Sequence, residues 1–522
     1  MRDELPSDSA TAPVIVIGAG IGGLAAALQL AHAGVAVTVL ESASAPGGKI
    51  RTVPTSAGPS DAGPTVLTMR RVFETLFADA GERLSEHVTL HPLPVLARHF
   101  WPDGTTLDLH DDADRTTAEI TRTFGPDTAR DHARHSDRAA RLFHAFDAPM
   151  MQTAKPSLLS ITATVAAQPA LVRDMAPHQS LATQLDRSFT DPRIAQLYAR
   201  YATYVGGTPD RAPALLNLVS HAEASGVWRV EGGMQALPCA IADLARARGA
   251  TFHYDTPVTA LQRDTHGWTV QTANGPQRAS GVIFNGDPRA LRDGRLGPQV
   301  TQAVPDSATT PRSLSAVVLS FAATAKGTDL SHHNVFFSDT PNAEFAPIRA
   351  GRLPDDFSLY LCAQDAHKGG LGRFEVILNA PPGLTLTPED KHRCLTQILT
   401  RFARFGLTFD PAPTVADMTT PQDWDTLFPA SLGALYGRSP DGMTAAFKRP
   451  TARTKLGGLY LAGGGAHPGA GVPMAALSGR HAAAAIMQDR ALTSRSARTA
   501  MPGGMSTGSA PTGTAPSRSS GS

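Results

Sequence analysis

Length, composition and charge describe a globular chain of 522 residues, 42% of them hydrophobic, which is enough for a large core divided into two or three regions. The 47 basic and 46 acidic side chains leave a formal net charge of +1, so no overall field attracts the chain to nucleic acid or anionic lipid. Three scattered cysteines, Cys239, Cys362 and Cys394, exclude a disulfide framework or a CxxC metal site and fit a reducing compartment.

Neither a secretory signal nor a membrane span is predicted. The opening residues, MRDELPSDSATAP, are polar and lack the cationic start and apolar run of a signal peptide. The longest weakly polar stretch, residues 157–172, is shorter than the roughly 20 residues that cross a bilayer and contains Pro169. We therefore expect a chain that does not cross a membrane, although it could rest on one.

The regular elements begin with the apolar run VIVIG from Val14, which predicts a strand, followed by a helix over GGLAAALQLAHAG and a second strand in VAVTVLE. The charge rises over residues 70–152, where we expect surface helices. A second strand, glycine turn, helix and strand follow near the middle, and Asn274-Gly275 predicts a hairpin turn. A last strand, glycine turn and helix precede a Ser/Thr/Gly/Pro-rich tail that is predicted to be disordered.

The first turn, GAGIGG, predicts a dinucleotide-binding site. Gly18 permits the tight turn, Gly20 lets the backbone approach a pyrophosphate, and Gly23 lets the helix pack closely on the sheet. The helix N-terminus offers free N–H groups and partial positive charge to the phosphates. Glu41 ends the second strand, eighteen residues beyond Gly23, where its carboxylate can accept hydrogen bonds from ribose hydroxyls.

The acid at the end of the second strand favours FAD or NAD, because Glu41 would repel the 2′-phosphate of NADP. The following turn contains the pair Gly47 and Gly48 and the cations Lys49 and Arg51. Such a turn brings backbone and positive charge beside the nucleotide, as the continuation of many flavoproteins does, and it therefore favours FAD. The alternative is a basic surface loop.

Motifs at both ends carry a resemblance: GAGIGG, PGGKIRT and DAGPTVLT near the start, and GLYLAGGGAHPGAGVPMAALSGRHAA near the end. With them the sequence resembles the flavin-dependent amine oxidase and phytoene desaturase superfamily, and within it the bacterial carotenoid desaturases, up to about residue 488. The segments YATYVGGTPDRAPALLNLVSHAEASGVWRVEGGMQAL and LFPASLGALYGRSPDGMTAAFKRPTART are similar to the hydroxycarotenoid 3,4-desaturases of purple bacteria, the hydroxyneurosporene or methoxyneurosporene desaturases.

The resemblance implies an α/β fold. It comprises a discontinuous Rossmann-type FAD-binding domain with a parallel sheet, a substrate domain with a mixed sheet, and a helical, membrane-facing region. The expected divisions are FAD-binding residues 1–100 after a disordered leader 1–12, a helical region 101–225, FAD-binding residues 226–300, a substrate domain 301–440, FAD-binding residues 441–490 and a disordered tail 491–522.

The resemblance also implies FAD as cofactor and assigns roles to residues that match its motifs. The expected set comprises Gly18, Gly20, Gly22 and Gly23 at the pyrophosphate, Glu41 at the adenosine ribose, Lys49 and Arg51 near the phosphates or flavin, Thr65 and Val66 on the flavin side, Val258 at the adenine, Asn285 closing the nucleotide pocket, and Leu435, Gly464, Gly471 and Met474 around the isoalloxazine ring. Alternatively, Val258 and Leu435 are core residues and Asn285 belongs to a simple turn.

The sequence identifies no catalytic base and no metal site. His467 lies in the loop that the resemblance places at the flavin and could accept a proton or a hydroxyl hydrogen bond, but we interpret it as a structural part of the turn. The acids of residues 111–114 are interpreted as surface charge. His132 and His135 stand in a charged stretch and His332-His333 in a predicted polar loop, without metal-ligand spacing.

The activity implied by the resemblance is introduction of the C-3,4 double bond into an acyclic 1-hydroxycarotenoid such as 1-hydroxyneurosporene, with hydride transfer to FAD, in spheroidene-type carotenoid synthesis. A carotenoid dissolves in the bilayer, so we expect a cytoplasmic protein resting on the inner, photosynthetic membrane. Residues 150–180 are the candidate docking surface, or an internal cap over the substrate cavity. Expected partners are the carotenoid, the membrane surface and other carotenoid-pathway enzymes, but not nucleic acid.

Two classes of alternative remain at this point. One is another reaction on the same scaffold: phytoene desaturation, a carotenoid ketolase or isomerase step, or oxidation of a soluble amine. The other is a non-catalytic flavoprotein that presents a carotenoid or chaperones a partner enzyme. Product analysis separates the first class, and a bound flavin that no carotenoid reduces would favour the second.

Overall fold

The computed structural model describes residues 12–265, 267–366 and 370–499, with side chains described as far as residue 492. The strands are β1 Val14–Ile17, β2 Val37–Leu40, β3 Thr52–Val53, β4 Ser60–Asp61, β5 Leu90–Pro92, β6 Val95–Phe100, β7 Thr106–His110, β8 Trp228–Val230, β9 Thr251–His253, β10 Val258–Asp264, β11 Gly267–Thr272, β12 Gly275–Ala279, β13 Gly281–Phe284, β14 Ser315–Lys326, β15 His333–Phe336, β16 Leu359–Ala363, β17 Gly372–Ala380, β18 Thr408–Asp410, β19 Met418–Thr419 and β20 Leu459–Leu461.

The helices are α1 Ile21–His32, α2 Arg70–Asp79, α3 Ala113–Phe124, α4 Pro126–Phe146, α5 Leu158–Ala167, α6 Ala170–Met175, α7 Leu181–Ser188, α8 Pro192–Ala199, α9 Leu218–Ala224, α10 Ala236–Ala247, α11 Pro288–Arg292, α12 Phe345–Arg349, α13 Pro388–Arg404, α14 Pro421–Leu427, α15 Ala445–Lys448 and α16 Val472–Thr499.

A parallel sheet of five strands organises the nucleotide-binding part, in the order β20-β13-β1-β2-β9. Its central strand is continuously apolar because both faces are covered: Val16 lies between Val39 and Ile283 in register. In chain order, β2 and β9 are added on one side of β1, and β13 and β20 are then added on its other side. The strand order therefore reverses between β1 and β13. Ligands of such sheets bind beyond the carboxyl ends of the strands at that reversal, which lies here at Gly18 and Asn285.

A second, mixed sheet of eight strands has the order β18-β14-β17-β16-β15-β6-β7, with β19 paired to β14. One face carries a core of side chains such as Leu319, Phe336 and Val376, which pack with Ile398 and Phe402 of α13. The other face meets β4, which contacts both β14 and β17. The second sheet therefore lies against the segment that follows the glycine turn.

The expected FAD-binding fold, with parallel and mixed sheets, is confirmed, but two sequence-based details are wrong. Strands β6 and β7 join the second sheet, although residues 1–100 were assigned to FAD binding and 101–225 to helices. The charges of LARHF interrupt the period-two pattern of a strand, whereas TLDLH shows that pattern through Leu107 and Leu109, but over too few residues to separate it from the charged helical run that follows. Helix α16 continues to Thr499, beyond the expected start of the tail at 491. Residues 1–11 and 500–522 lie outside the described residues.

The middle elements agree better with the sequence. The predicted Asn274-Gly275 hairpin is the β11–β12 pair, with Thr272 opposite Gly275. The strand, turn, helix and strand predicted before it are β8, α10 and β9. Within the described ranges, none of the helices combines the length and the apolar character needed to cross a membrane.

One buried acid predicts a pH effect on stability. Glu344 precedes α12, is 5% exposed and accepts a hydrogen bond from Ser358 N at 3.2 Å. Burial raises the pKa of Glu344 from 4.5 to about 7, against the effect of that hydrogen bond. Between those two values the folded state keeps a proton that the unfolded chain releases, so the free energy of unfolding falls as pH rises, by up to about 3 kcal/mol.

Glu344→Gln removes this titration and keeps an acceptor oxygen. We expect urea unfolding of the wild type to weaken between about pH 5 and about pH 8 by more than that of the variant. An equal pH dependence in both proteins would show that Glu344 ionises normally in the folded state.

Candidate functional site

The glycine turn after β1 is tied to the acid after β2. Gly18 has φ +98°, a conformation that side chains rarely adopt, and a Cβ on Gly23 would lie 2.1 Å from Gly18 O. The carboxylate of Glu41 is buried; its Oε2 accepts from Ala19 N at 2.6 Å and its Oε1 from Ala43 N at 2.8 Å. The predicted residues Gly18, Gly23 and Glu41 therefore meet at one edge of the sheet.

Asn285, which follows β13, closes this turn from the other side. Its Nδ2 donates to Gly18 O at 3.1 Å, while its buried Oδ1 has no hydrogen-bond partner among the described residues. A Cβ on Gly20 would lie 3.0 Å from the Asn285 amide nitrogen, and one on Gly22 would lie 2.7 Å from the amide oxygen. The side chain thus seals a concave, side-chain-free backbone surface, which fits the pyrophosphate of a dinucleotide.

The C-terminal glycine segment lies against the first one. Gly464 O accepts from the Arg449 guanidinium at 2.8 Å, and Gly471, with φ +105°, immediately precedes α16. Met474, in the first turn of that helix, packs on the same core as α1. A Cβ on Gly479 of α16 would lie 2.0 Å from Gly22 O, so α1 and α16 pack backbone to backbone.

The cations of the PGGKIRT segment point toward the second sheet. Gly47 pairs with Gly20, and the partly buried Lys49 Nζ donates to Leu435 O at 2.5 Å. Burial lowers the pKa of Lys49 to about 8, with Asp287 opposing the shift. Arg51 donates to Thr419 Oγ1 at 3.0 Å and stacks on the ring of Trp424. Lys49 and Leu435, two predicted cofactor residues, are therefore direct neighbours.

Thr65 joins a buried hydrogen-bonded group that sequence reasoning missed. Its Oγ1 lies 2.8 Å from Tyr360 Oη and donates to Glu375 Oε2 at 3.4 Å. Tyr360 Oη in turn lies 2.7 Å from His333 Nδ1. Burial, together with the charge of Asp61, raises the pKa of Glu375 well above its usual value, and burial lowers the pKa of His333 well below its own. In both groups burial therefore favours the uncharged form.

The strand sequences held a signal for this group. In FEVIL, residues 374–378, the acid Glu375 interrupts an otherwise apolar run, and a buried polar residue in such a run calls for an explanation. The expectation that His333 lies in a polar loop is wrong, since it begins β15 and is 2% exposed. The chain separation of the members, from Thr65 to Glu375, hid their proximity.

The fold also gathers two sets of possible metal ligands. In the described part of the chain these are His332, His333 and Cys362, and Asp108, His110 and Glu119, each with ligand atoms within 4.8 Å of one another. In the second set, Asp108 pairs with Arg98 at 2.8 Å and His110 with Glu119 at 2.9 Å. The side chains of the second set are therefore engaged in ion pairs and hydrogen bonds within the protein.

The remaining predicted residues have structural neighbours. Val66 packs on the core of the helical region. Val258 starts β10 and packs on the core that contains Leu40, next to Glu41. His467 Nε2 donates to Thr153 O at 2.9 Å, and burial lowers its pKa to about 4. Neutral and already bonded to backbone, His467 fits the structural interpretation made from the sequence.

A cavity of about 530 Å³ opens beside Thr65. It lies between β4, the turn after β8 and the second sheet. Its lining includes Asp61, Thr65, Met234, Cys362, Gln364 and Arg373. Asp61 accepts from Met234 N with both carboxylate oxygens, at 3.1 and 2.9 Å, which fixes the turn after β8 against β4.

The family assignment follows from comparison with known proteins. Residues 21–487 match the model of the flavin-containing amine oxidoreductases. The chain belongs to this family. Its members are flavoproteins, and this one is accordingly an FAD-dependent oxidoreductase with FAD as cofactor. The glycine cradle sealed by Asn285 and the buried Glu41 fit the dinucleotide of that cofactor.

Three relatives of this family member cover almost the whole chain. It is 51% identical to the hydroxyneurosporene desaturase of Cereibacter sphaeroides over 92% of this chain and 99% of the relative. The proteins of the same name from Rhodobacter capsulatus and Rubrivivax gelatinosus are 47% identical over 91% of this chain and 98% of the relative, and 42% identical over 96% and 98%.

Solved structures show the same fold at low sequence identity. A putrescine oxidase triple mutant is 16% identical, with a TM-score of 0.60 over 92% of this chain and 99% of the other. The cyclohexylamine oxidase of Brevibacterium oxydans is 18% identical, with a TM-score of 0.57 over 92% and 99%. At these identities, the two similarities show only that the fold is shared.

Proposed function

We propose that this chain is a carotenoid desaturase that introduces the C-3,4 double bond into acyclic 1-hydroxycarotenoids, with 1-hydroxyneurosporene as the expected substrate. The observation that carries the proposal is the 51% identity to a hydroxyneurosporene desaturase over 99% of that relative. Two further relatives of the same name support it. A protein 30% identical over 90% of this chain has another name, 4,4'-diapolycopene oxygenase, so the closer relatives favour 3,4-desaturation over other carotenoid reactions.

The residues around the glycine turn would hold the cofactor. Backbone N–H groups at the start of α1 would receive the pyrophosphate, on a surface that Gly18, Gly20, Gly22 and Gly23 keep open. Glu41 would bind the adenosine ribose, because a carboxylate that already accepts two backbone N–H groups has lone pairs left for hydroxyl donors.

The other expected contacts lie where the two glycine segments and the second sheet meet. When bound, FAD supplies the two-electron acceptor for a hydride taken from the polyene. Around it, the proposed contacts are Lys49, Arg51, Thr65 and Val66 from the segment after β2, Val258 and Asn285 beyond the parallel sheet, and Leu435, Gly464, Gly471 and Met474 from the C-terminal part.

The chain itself must orient a long apolar substrate and exclude water. Hydride loss from an allylic carbon leaves positive charge spread over the conjugated system, and release of a proton from the neighbouring carbon then completes the double bond. A dry site without a strong nucleophile keeps the cation from being captured before that proton leaves. The thiol of Cys362 is not a strong nucleophile, because burial raises its pKa well above the usual value and keeps it protonated. His467, bonded to Thr153 O, is likewise withdrawn from the substrate.

The test is anaerobic turnover with 1-hydroxyneurosporene in liposomes, followed through the flavin band near about 450 nm and the extracted carotenoids. We expect bleaching of the flavin together with a polyene longer by one double bond. An unchanged carotenoid on folded, flavin-loaded protein would contradict the substrate, and phytoene would be tried next. A flavin that no carotenoid reduces would support the non-catalytic alternative.

We also propose that the enzyme docks on a lipid surface through α5. None of the residues of α5 is buried, and Leu158, Leu159 and Val172 are 64%, 79% and 50% exposed. Exposed cations, Lys155 and Arg173, flank the helix and suit anionic headgroups. A bilayer is the proposed occupant because a carotenoid is delivered from one.

The segment before this helix connects the surface to the site. His467 Nε2 donates to Thr153 O at 2.9 Å, and His481 Nε2 donates to Met151 O at 3.2 Å. His467 belongs to the C-terminal glycine segment, and His481 belongs to α16. Docking through α5 would therefore place the proposed flavin region close to the membrane, and the same segment can also cap the path of the substrate.

Leu158→Asp combined with Leu159→Asp is expected to reduce binding to anionic phosphatidylglycerol vesicles at least about tenfold in flotation assays, since two apolar side chains lose their burial in lipid. Flavin content should stay unchanged, because α5 has no buried residue. Leu492→Asp is the matched control, since Leu492 is 60% exposed elsewhere on the surface. Equal loss in both proteins, or in neither, would contradict docking through α5.

A further inference from the structure

One face of the second sheet carries a buried row of polar side chains. Ser320, Glu375, Cys362 and His333 stand directly opposite one another on β14, β17, β16 and β15, and directly opposed residues share a face. Tyr360, two residues before Cys362, points to the same side. The other face of these strands is an apolar core. A hydrocarbon polyene alone requires no such row.

The row is an incomplete hydrogen-bonded chain. It runs from His333 Nδ1 through Tyr360 Oη and Thr65 Oγ1 to Glu375 Oε2, with separations of 2.7, 2.8 and 3.4 Å. At its two ends, His333 Nε2 and Glu375 Oε1 are buried and have no hydrogen-bond partner among the residues that the structure describes, although the backbone N–H of Gly63 interacts with the Glu375 carboxyl group and opposes the rise of its pKa. Glu375 is 0% exposed.

Open ends of this kind are costly. A buried polar atom without a partner loses its hydration and gains nothing in return, so two such atoms at the ends of one hydrogen-bonded chain call for a ligand or water that completes it. Burial raises the pKa of Glu375 and lowers that of His333, and so favours the neutral form of each. A neutral carboxyl can donate or accept, as can a neutral imidazole, so the chain matches a neutral ligand that does both. A hydroxyl group is the simplest one.

We propose that this polar row binds the hydroxyl group of the carotenoid, with Glu375 Oε1 as its direct hydrogen-bond partner. The inference rests on the proposed function and names the part of the site that distinguishes hydroxylated from unhydroxylated polyenes. A hydroxyl on C1 is two carbons from C3, so holding it also sets the position of the bond to be desaturated. Thr65 connects Glu375 to the segment proposed to lie beside the flavin.

The row would act by favouring the hydroxylated substrate. Glu375 Oε1 is already buried and unpaired without a ligand, so a hydroxyl would supply the missing hydrogen bond, whereas a polyene without one would leave the atom unpaired in the complex. Sites that bond a substrate hydroxyl reject analogues lacking it by about 10⁴-fold or more, because their buried polar groups are then left without partners. A purely apolar pocket would discriminate far less.

The test compares two substrates in three flavin-loaded proteins. The substrates are 1-hydroxyneurosporene and the corresponding polyene without the hydroxyl, and the proteins are wild type, Glu375→Leu and Glu375→Gln. We expect the wild type to prefer the hydroxylated substrate in kcat/KM by at least about 100-fold. Glu375→Leu should lower this preference at least about tenfold by losing activity on the hydroxylated substrate alone. Glu375→Gln, which still bonds a hydroxyl, should keep it within a few-fold.

Binding supplies a second readout. Quenching of tryptophan fluorescence by each carotenoid, measured on enzyme with reduced flavin so that no turnover occurs, should show the same loss of discrimination in Glu375→Leu. In Glu375→Leu, Thr65 loses its long hydrogen bond to Glu375 Oε2 and keeps the one with Tyr360, and flavin content checks that the variant folds.

Unchanged discrimination in Glu375→Leu, in both turnover and binding, would overturn the inference. Loss of kcat on both substrates in Glu375→Gln, with the preference intact, would also overturn it and would identify Glu375 as a proton acceptor. A wild type that desaturates neither carotenoid would contradict the proposed function instead, and the binding ratio of wild type to Glu375→Leu would still decide whether Glu375 recognises the hydroxyl.

Discussion

Gly22→Val is expected to leave the protein without bound FAD. A Cβ at this position would lie 2.5 Å from Gly463 N and 2.7 Å from Asn285 Oδ1. The added side chain would overlap the backbone of Gly463 on one side and the packed Asn285 side chain on the other. The two glycine segments would therefore have to move apart. These segments form the surface that we propose holds the pyrophosphate and the ring. We expect the flavin content per protein, measured by absorbance after purification, to fall at least about tenfold.

The control is Gly281→Ala in β13, the strand of the parallel sheet that ends at Asn285. There the nearest heavy atom to an added Cβ is Gly458 O at 3.6 Å, an ordinary contact, and flavin content should remain at the wild-type level. Circular dichroism and thermal melting establish that the Gly22→Val chain is folded. A folded Gly22→Val protein that retains full flavin would show that the cofactor does not depend on the contact between the two segments.

The glycine turn could be predicted from sequence because its parts are consecutive. Strand, turn, helix and acid occupy residues 14–41, and their spacing alone places Glu41 at the turn that its carboxylate contacts. Asn285 lies far along the chain, yet it ends a strand followed by a turn, and parallel strands deliver their carboxyl ends to one edge. A pattern that obeys such a rule remains visible across a long separation.

The polar row could not be predicted in this way. Thr65, His333, Tyr360 and Glu375 meet only because β4 lies against a sheet whose strand order, β14-β17-β16-β15, is not the order of the chain. No local period encodes that pairing. His333 was expected in a polar loop, and although Glu375 interrupts an apolar run, only the register shows that the two are buried on one face.

The second sheet also contains β6 and β7, two strands that the composition of their segment did not indicate. Arg98 in β6 and Asp108 in β7 form an ion pair across the strands at 2.8 Å, so charges that looked typical of surface helices are paired on a sheet. The pairing lets a charged segment join β15. This explains why the boundary expected at residue 100 does not coincide with a structural division.

Arg449→Met is expected to destabilise the protein and weaken its hold on the cofactor together. The guanidinium is 8% exposed and donates to Gly464 O, Tyr436 O and Arg438 O, each at 2.8 Å. Burial lowers its pKa to about 10, and the described residues offer it no ion pair, so these three carbonyls are its partners. Methionine leaves them unpaired, at a cost of about 3–5 kcal/mol in the free energy of unfolding.

The loss should be coupled to flavin because the same bonds hold two predicted cofactor positions, Gly464 itself and Leu435 next to Tyr436. We expect flavin release in a urea titration to move to lower denaturant concentration along with unfolding. Arg449→Lys retains the charge but has fewer donors in a less suitable geometry. Its flavin release should therefore occur at a urea concentration between those of the wild type and Arg449→Met.

Arg453→Met is the surface comparison for this prediction. Arg453 is 45% exposed in its ion pair with Asp489, and exposed pairs contribute at most about 1 kcal/mol. If Arg449→Met released flavin and unfolded at the same urea concentration as Arg453→Met, the three buried carbonyls would not depend on Arg449. A shift confined to Arg449→Met would instead establish that one buried guanidinium, which has no carboxylate partner among the described residues, joins the C-terminal glycine segment to the loop that faces Lys49.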